Sequence, residues 1–576
     1  MRICGLKLTH DGAVALIDNN KLIFSFEIEK LKNNPRYASI EDTDLIAEIL
    51  RSEGYSPESI DLYAIDGWGG FDQDSLAIQP RLEIGDQTNK LSVLHHGKPT
   101  QIGIAQYRER TAKHSILEEW KFEGLPIEDH SYSYTSYLHV TSHIMSAYCC
   151  SPFAQAGEDA YILIWDGGMY PRLYYFDVTN KKVENLGPIF LFIGNIYSIF
   201  AQHFGPFKVG NKFAKDSLSV AGKVMAYIGK GEVQRDLFPI FDDIYKKNYS
   251  NPMGFGNVFA NEFKKAVGDR YTDEDILCSF HFYLDELLVS KLIKKINRYP
   301  RKGKNICLAG GCALNIKWNR SIRRSGFFDG VFVPPFPNDS GSAIGAACTA
   351  MMLHGQSAAL EWSVYSGPKI IDNAPAEGWT EESCSVKQLG ELLYRTQEPV
   401  VFLNGRAELG PRALGNRSIL ASPQSLYMKD ILNYVKKREA YRPVSPICLE
   451  RFGHEIFDPG ISDPYMLFDH FVRPGWEEKI PAVCHLDGTA RLQSINKERN
   501  PVVAELLETF YQLSGVPMLC NTSANLPSKG FFPDVYSATI WDRVNYVWCN
   551  GKLFKRKEHI PLHQIVGADS KAFVTV

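Results

Sequence analysis

His139 and His143 stand four residues apart in the run His139-Val140-Thr141-Ser142-His143. On a helix this spacing puts both imidazoles on one face, as a pair of metal ligands requires, although packing alone also produces such pairs. No glutamate follows His139, which excludes the zinc-protease HExxH pattern. Two acidic turns supply the missing charge. Asp166 precedes Gly167-Gly168 between two apolar runs, and Asp339 lies in Pro337-Asn338-Asp339-Ser340-Gly341, before a helix that its carboxylate could instead cap. Two histidines with one or two aspartates, and a phosphate at the open position, suit a divalent transition metal: Fe, Mn or Zn.

Glycine turns let backbone N–H groups approach phosphate oxygens, and residues 9–12, 166–168 and 310–311 are the candidates. Lys223, after Gly222, is either a phosphate contact or an ordinary surface lysine. GxxxxGK[ST] and a strand-following GxGxxG are both absent, so P-loop and Rossmann readings fail. The densest cluster is Gly405-Arg406-Ala407-Glu408-Leu409-Gly410-Pro411-Arg412-Ala413-Leu414-Gly415-Asn416-Arg417-Ser418. Lys436, Lys437, Arg438 and Arg442 follow, then Arg491, and then Asn521 and Ser523 as neutral hydrogen-bonding groups. Guanidinium forks match phosphate oxygens bidentately, and like charges gathered in this way repel unless an anion joins them. A small anion of phosphate and carbonyl character fits.

These residues need elements to hold them. Residues 3–8, 13–17 and 22–28 read as strands around polar turns, residues 40–53 as a helix capped by Ser39, and residues 61–65 as a strand. The strand–acidic turn–strand pattern returns at 160–165 and 172–176. Strands at 305–309 and 331–333 and a small-residue helix at 341–353 complete a duplicated α/β arrangement with a nucleotide between its halves. Residues 366–385, with prolines, glycines and little periodicity, read as a linker. A second α/β unit begins near Val400. The expected domains are 1–365 and 386–576.

At 576 residues the chain exceeds one hydrophobic core. Its 63 basic and 66 acidic residues leave a net charge of -3, which calls for no nucleic acid. The N-terminus has no signal-peptide pattern, no apolar run reaches membrane-spanning length, and the twelve cysteines form no CxxC pair. A cytoplasmic enzyme with no membrane association is expected. A homodimer stays open.

The motifs resemble the O-carbamoyltransferases of nodulation-factor and antibiotic biosynthesis, the nodulation-protein-U and cephamycin type, over nearly the whole chain. Residues 405–423 are similar to that family's GR.EfGPRALGNRSIL stretch, 485–491 to HvDGTAR, 436–443 to K.RE.fRP, and 521–523 to NTS. His10-Asp11, His139/His143, 221–225 and 310–315 also fit. The resemblance implies an N-terminal actin/Hsp70/sugar-kinase-like duplicated domain and a C-terminal YrdC-like α+β domain. The second makes carbamoyl-adenylate from carbamoyl phosphate and Mg-ATP. The first passes the carbamoyl group to a small hydroxylated acceptor. It further implies catalytic roles for His10 and Lys223, and a metal on His139, His143, Asp166 and Asp339. ATP or phosphate contacts fall on Asp11, Gly12, Gly167, Gly168, Gly310, Gly311 and Asn315. Carbamoyl phosphate or ATP contacts fall on Arg412, Asn416, Arg417, Lys436, Arg442, Arg491, Asn521 and Ser523.

The chain departs from the family in three places. DGxGE becomes Asp166-Gly167-Gly168-Met169-Tyr170, without the glutamate. The basic residue after the EEERF-like segment is replaced by Lys32 or Arg36, and FRPFAP by Tyr441-Arg442-Pro443-Val444-Ser445-Pro446. Acceptor loops are expected at 67–97 and 204–214. A tRNA threonylcarbamoyl-type enzyme and a non-catalytic actin-like assembly protein are the competing readings. The near-neutral charge disfavours the first, and the arginine cluster with its histidine pair disfavours the second.

Overall fold

A computed structural model of the chain describes residues 1–68, 88–107, 115–209, 217–248, 255–355 and 357–569. Residues 69–87 of the first expected acceptor loop and 210–214 of the second lie outside the described residues. The chain divides into two units: Met1–Ile28 with Tyr37–Ser366, and Glu29–Arg36 with Gly367–Val576. Both are mixed α/β. Among the described residues no helix is long and apolar enough to cross a membrane.

Unit 1 is built on two sheets. In the first, β1 (Arg2–Lys7), β2 (Ala13–Asp18) and β3 (Lys21–Glu27) form an antiparallel meander, and β4 (Leu62–Asp66) lies parallel to β1. A separate hairpin, β5 (Thr88–His95) and β6 (Lys98–Ala105), precedes β7 (Trp120–Ile127) and β8 (His130–Tyr137); β8 lies parallel to β4 and antiparallel to β7. The second sheet repeats the plan. β9 (Ala160–Ile164), β10 (Arg172–Asp177) and β11 (Lys182–Pro188) form the meander, and β12 (Asn305–Ala309) and β13 (Gly330–Phe332) extend it in parallel. The orders β3-β2-β1-β4-β8 and β11-β10-β9-β12-β13 are one topology, the duplication anticipated from the two strand–turn–strand patterns.

The central strands read as nearly continuous apolar runs, as strands covered on both faces must. Charged residues enter only where those strands end: Lys7 closes β1, Asp66 closes β4, and Asp166 follows β9. Open α/β sheets place their chemistry at this carboxyl edge.

The helix Ser342–His354 locks the first sheet to the helix His139–Cys149, and its small residues allow the approach. A Cβ on Gly345 would stand 1.9 Å from the Ser142 carbonyl oxygen, and one on Gly5 2.0 Å from that of Ala343. Gly345→Ala must therefore push the helices apart. The expected cost is about 3 kcal/mol, read as a lower urea midpoint at unchanged slope.

The helix read at 40–53 begins later, at Asp44, and Ser39 does not cap it. Residues 38–40 are already committed to β-type partners: Gly12 N–H donates to Ala38 O and Ile40 N–H to Leu8 O. Asp42 Oδ1 instead accepts the Asp44 N–H at 3.0 Å.

Unit 2 has an eight-stranded mixed sheet, in the order Trp379–Ser383, Lys552–Arg556, Tyr546–Cys549, Val400–Leu403, Arg417–Ala421, Met518–Ser523, Ser445–Leu449, Gln493–Ile495. The helices Val386–Thr396 and Pro501–Ser514 pack together, the first opened by a Ser385/Gln388 capping box. The segment 366–385, read as a linker, contributes the edge strand Trp379–Ser383 and so forms part of this unit's sheet. Its alternation was obscured because four of the five strand residues are exposed.

Residues 29–36 were not expected in unit 2. Lys30 Nζ donates to Glu408 O at 2.6 Å and Gly410 O at 2.7 Å, and sits over the Phe531 ring. Arg36 N–H donates to Ser528 O, and Gly530 N–H to Asn34 O. Gly530 is required, since a Cβ there would lie 1.6 Å from Glu29 O.

Candidate functional site

In unit 1 the carboxyl ends of β1, β4, β8 and β9 and the start of the helix Ser342–His354 bring seven ionisable groups together. His139 Nδ1 lies 2.9 Å from both oxygens of Asp66, and Lys7 Nζ lies 3.2 Å from Asp66 and 3.3 Å from Asp339 Oδ2. Asp339 Oδ1 faces His139 Nε2 at 3.4 Å and His143 Nε2 at 3.5 Å, and the two Nε2 atoms are 3.1 Å apart. Asp166 receives the Gly311 N–H on Oδ1 at 2.8 Å and the Tyr107 hydroxyl on Oδ2 at 2.6 Å.

One ligand atom each from His139, His143, Asp166 and Asp339 lies within 4.8 Å of the others. This donor set fits a divalent transition metal. Asp66 takes the Nδ1 side of His139, which turns Nε2 toward the cluster, the usual outer-shell arrangement for a histidine ligand. Asp339 does not cap its helix. Lys7 and His10 sit beside its Oδ2, and its Oδ1 faces the two imidazoles.

The site is strongly polarised. Burial opposes charge on Asp66 and Asp339, but His139 and Lys7 outweigh it and hold both below the usual carboxylate range. Burial also opposes charge on His139, yet Asp66 and Asp339 raise it to about 10. Burial and the neighbouring Asp166 and Asp339 keep Tyr107 a neutral phenol, able to donate. The Tyr107 ring stacks on His139 at 4.9 Å, and Trp68 closes against Tyr107, His139 and His10. His10 sits at the rim, a third exposed, with Nδ1 2.9 Å from Asp11 Oδ2 and Nε2 3.5 Å from Asp339 Oδ2.

Unit 2 carries a second candidate, a cluster of cations. Lys436 ends the helix Leu426–Val435, Arg438 and Arg442 follow in the next turn, and Arg491 lies beside the strand Gln493–Ile495. Burial, then Arg438, Arg36 and Arg442, push the Lys436 ammonium well below its ordinary range. Burial, then Arg438 and Arg442, push Arg491 down to about 10; burial and Arg442 push Arg438 down to about 9. The cations therefore destabilise one another, opposed by Asp463 at Arg491 and by Glu439 at Arg438. A bound polyanion removes that conflict.

Residues 2–348 match the family model described as "Carbamoyltransferase N-terminus", and residues 392–554 match "Carbamoyltransferase C-terminus". The chain belongs to the carbamoyltransferase family. It is 45% identical to nodulation protein U of Rhizobium tropici, with 100% of each chain covered. It is 43% identical to nodulation protein U of Bradyrhizobium diazoefficiens, over 99% of this chain and 100% of that one. The 3'-hydroxymethylcephem-O-carbamoyltransferase of Streptomyces clavuligerus is 31% identical, over 92% of this chain and 94% of the other.

Within this carbamoyltransferase, several residues expected to contact ligand are employed otherwise. Gly12 N–H donates to Ala38 O, Asp11 N–H to Tyr37 O, Gly310 N–H to Pro337 O and Gly311 N–H to Asp166. These turns do not present those N–H groups to a phosphate. Their close packing also accounts for the glycines: a Cβ on Gly12 would meet Ile40 N at 2.8 Å, and one on Gly310 would meet Trp165 O at 2.5 Å. Gly167 and Gly168 pack against Asn195 and Tyr107. Asn315 caps the helix Ile316–Arg324, its Oδ1 accepting from Lys317 and Trp318 N–H. Lys223 is half-buried on the helix Ser217–Tyr227.

In unit 2, Arg417 is a fastener. Its Nη1 donates to Asn404 O and Asn416 O at 2.9 Å, and its Nη2 to Gly405 O at 3.1 Å and Pro368 O at 3.2 Å. Asn416 is likewise occupied, donating to Arg406 O and accepting from Asn500. Lys436 Nζ spends three donors on Ser523 O, Asn525 O and Asn525 Oδ1. Ser523 Oγ donates to Asn525 Oδ1. Asn521 donates to Ala413 O and Gln493 Oε1, while its own Oδ1 is buried with no partner. Arg412, Arg442 and Arg491 are half-buried. Arg491 Nε donates to Ser445 Oγ at 2.9 Å, and Arg442 Nη1 has Glu439 at 3.7 Å.

Sequence reasoning missed Lys7, Asp66, Trp68 and Tyr107 in unit 1, and Lys30 and Glu408 in unit 2. Lys7 and Asp66 carried a signal, as charges at the ends of otherwise apolar strands. Glu408 is fully buried, and its Oε1 accepts from the Asn416 and Arg417 N–H groups, which shapes the arginine loop. Of the two replacements considered for the missing basic residue, Arg36 is the one beside Lys436, whereas Lys32 is exposed.

Proposed function

We propose that the protein is an ATP-dependent O-carbamoyltransferase acting on a small hydroxylated acceptor. In unit 2, carbamoyl phosphate and water give carbamate and phosphate. The carbamate oxygen then attacks the α-phosphorus of Mg-ATP, forming carbamoyl-adenylate and releasing pyrophosphate. In unit 1, the acceptor hydroxyl attacks the carbamoyl carbon, AMP leaves, and the hydroxyl proton passes to a base. The N-terminal unit is of the actin/Hsp70/sugar-kinase type on this reading, which its duplicated topology supports, and the C-terminal unit is YrdC-like.

The observation that carries the reading is the set of mutually repelling cations Arg36, Lys436, Arg438, Arg442 and Arg491 in a chain of carbamoyltransferase sequence. Crowded phosphates in an adenylation transition state require that density of charge. Arg442, Arg491 and Arg412 contact the phosphates. Lys436 shapes the floor of the site, and Asn521 Oδ1 is the acceptor facing a carbamoyl amide.

In unit 1, His139, His143, Asp166 and Asp339 hold a divalent Fe, Mn or Zn ion, which when bound supplies charge to phosphate and to the carbamoyl carbonyl. His10 accepts the acceptor's proton at Nε2, with Asp11 fixing the Nδ1–H tautomer. Tyr107 holds Asp166, and Trp68 walls the site from water.

Pyrophosphate release from ATP tests the proposal. It should require carbamoyl phosphate. No carbamoyl-phosphate-dependent release from folded, metal-loaded protein would refute adenylation. Hydroxylated metabolites screened by mass spectrometry should include one that gains a carbamoyl group in place of a hydrogen.

A further inference from the structure

We propose that Asp44, His95 and His96 form a second divalent-metal site, distinct from the buried cluster, that pins the β5–β6 hairpin to the helix Asp44–Ser52. The ligand atoms of the three residues lie within 4.8 Å of one another. The two histidines use different oxygens of one carboxylate. His96 Nδ1 is 2.9 Å from Asp44 Oδ2, and His95 Nδ1 is 3.4 Å from Asp44 Oδ1.

The imidazole rings are packed with centroids 4.0 Å apart. Two protonated rings at that distance repel, whereas two neutral rings and a carboxylate around one cation do not. The second nitrogen of His96, Nε2, faces Asp129 Oδ1 at 3.7 Å, within reach of its charge but beyond a hydrogen bond. That negative charge favours the tautomer protonated on Nε2, which leaves the Nδ1 lone pair for a metal.

The turn is built for this placement. His95 pairs with Lys98, so His96 and Gly97 form a two-residue hairpin loop, and both have positive φ, 50° and 70°. That turn type prefers asparagine before glycine, and a histidine there bears a modest backbone cost. Neighbouring bonds hold the hairpin tip where the ligands meet: Gly97 N–H donates to Asp42 Oδ2, Thr43 N–H to Leu94 O, and Glu128 N–H to Asp44 Oδ1.

Two imidazoles and one carboxylate, half-exposed, leave positions for water and select zinc, nickel or copper over magnesium or calcium. The strand that leaves the turn, β6, runs directly into Gln106 and Tyr107. Their carbonyls receive the N–H groups of His139 and Val140, and Tyr107 holds Asp166. A metal at the turn therefore braces the strand that carries a wall of the buried site.

The test uses untagged, chelator-stripped protein titrated with zinc alone. The His95→Gln/His96→Gln double variant should bind one equivalent less than the native chain, with matching melting curves in chelator. Equal stoichiometry in the two proteins overturns the proposal. If the double variant melts differently, His96→Gln alone decides. Binding at one equivalent weakened tenfold or more supports the site, and an unchanged isotherm overturns it. Both comparisons are differences between proteins that share the buried cluster, so they are independent of what that cluster binds.

Discussion

Arg442→Ala should cut carbamoyl-phosphate-dependent pyrophosphate release about 100-fold or more without lowering the melting temperature. Both halves of that expectation come from the same electrostatics. Arg442 disfavours the charged forms of Lys436, Arg438 and Arg491, so removing it relieves the folded protein of repulsion. Its own nearest acid, Glu439, is 3.7 Å away, too far for a hydrogen bond that the variant would lose. On the proposed reading, what the variant loses is a guanidinium fork for phosphate. Arg442→Lys should recover only part of the rate, because an ammonium restores charge but not two parallel N–H donors. Arg417→Met is the contrasting control. It takes a donor from four backbone carbonyls inside unit 2, of which only Asn416 O and Pro368 O keep a backbone N–H, and should cost about 3 kcal/mol of stability. Pyrophosphate assays with denaturant melts on the three proteins separate the two kinds of arginine. An Arg442→Ala protein that adenylates normally would mean that Arg442 holds no phosphate of the reaction.

That distinction was out of reach of the sequence, where Arg417 and Arg442 look alike. Both sit in basic, glycine- or proline-bearing segments, and type and spacing do not say whether a guanidinium turns inward to carbonyls or outward to a ligand. The turn glycines misled for a related reason. Gly12 and Gly310 mark close backbone approach, and close approach to protein is indistinguishable in one dimension from close approach to phosphate. By contrast, the helical pair His139/His143 and the acidic turns at Asp166 and Asp339 were legible, since an i,i+4 period and a strand-end acid each fix a direction. Their convergence needed the parallel pairing of β1 with β4, β4 with β8 and β9 with β12, which the duplicated α/β reading left unspecified. Lys7 and Asp66 complete the cluster from strand ends 59 residues apart. Residues 29–36 are the extreme case. They lie next to β3 in sequence yet pack within unit 2, through Lys30 and Gly530.

His139→Ala should leave pyrophosphate release intact and abolish formation of the carbamoylated product, with loss of bound metal measured on the same sample. His139 is the hinge of the unit 1 cluster. Its Nε2 is 3.1 Å from that of His143 and 3.4 Å from Asp339, while its Nδ1 lies against Asp66. Alanine removes a ligand and leaves Asp66 and Lys7 facing each other without the imidazole between the two carboxylates. Asp66→Asn is the finer probe, because it keeps all four ligands and weakens only what orients one of them. An outer-shell change of that kind costs about 10–100-fold in metal affinity, so excess metal should restore transfer to Asp66→Asn and not to His139→Ala. The split between the assays assigns the chemistry. If His139→Ala stops pyrophosphate release and Arg442→Ala does not, adenylation belongs to unit 1 and transfer to unit 2, the reverse of the assignment made here. If both variants lose both activities, the two half-reactions are not separable by unit, and the cations of unit 2 and the metal cluster of unit 1 act on one chemical step.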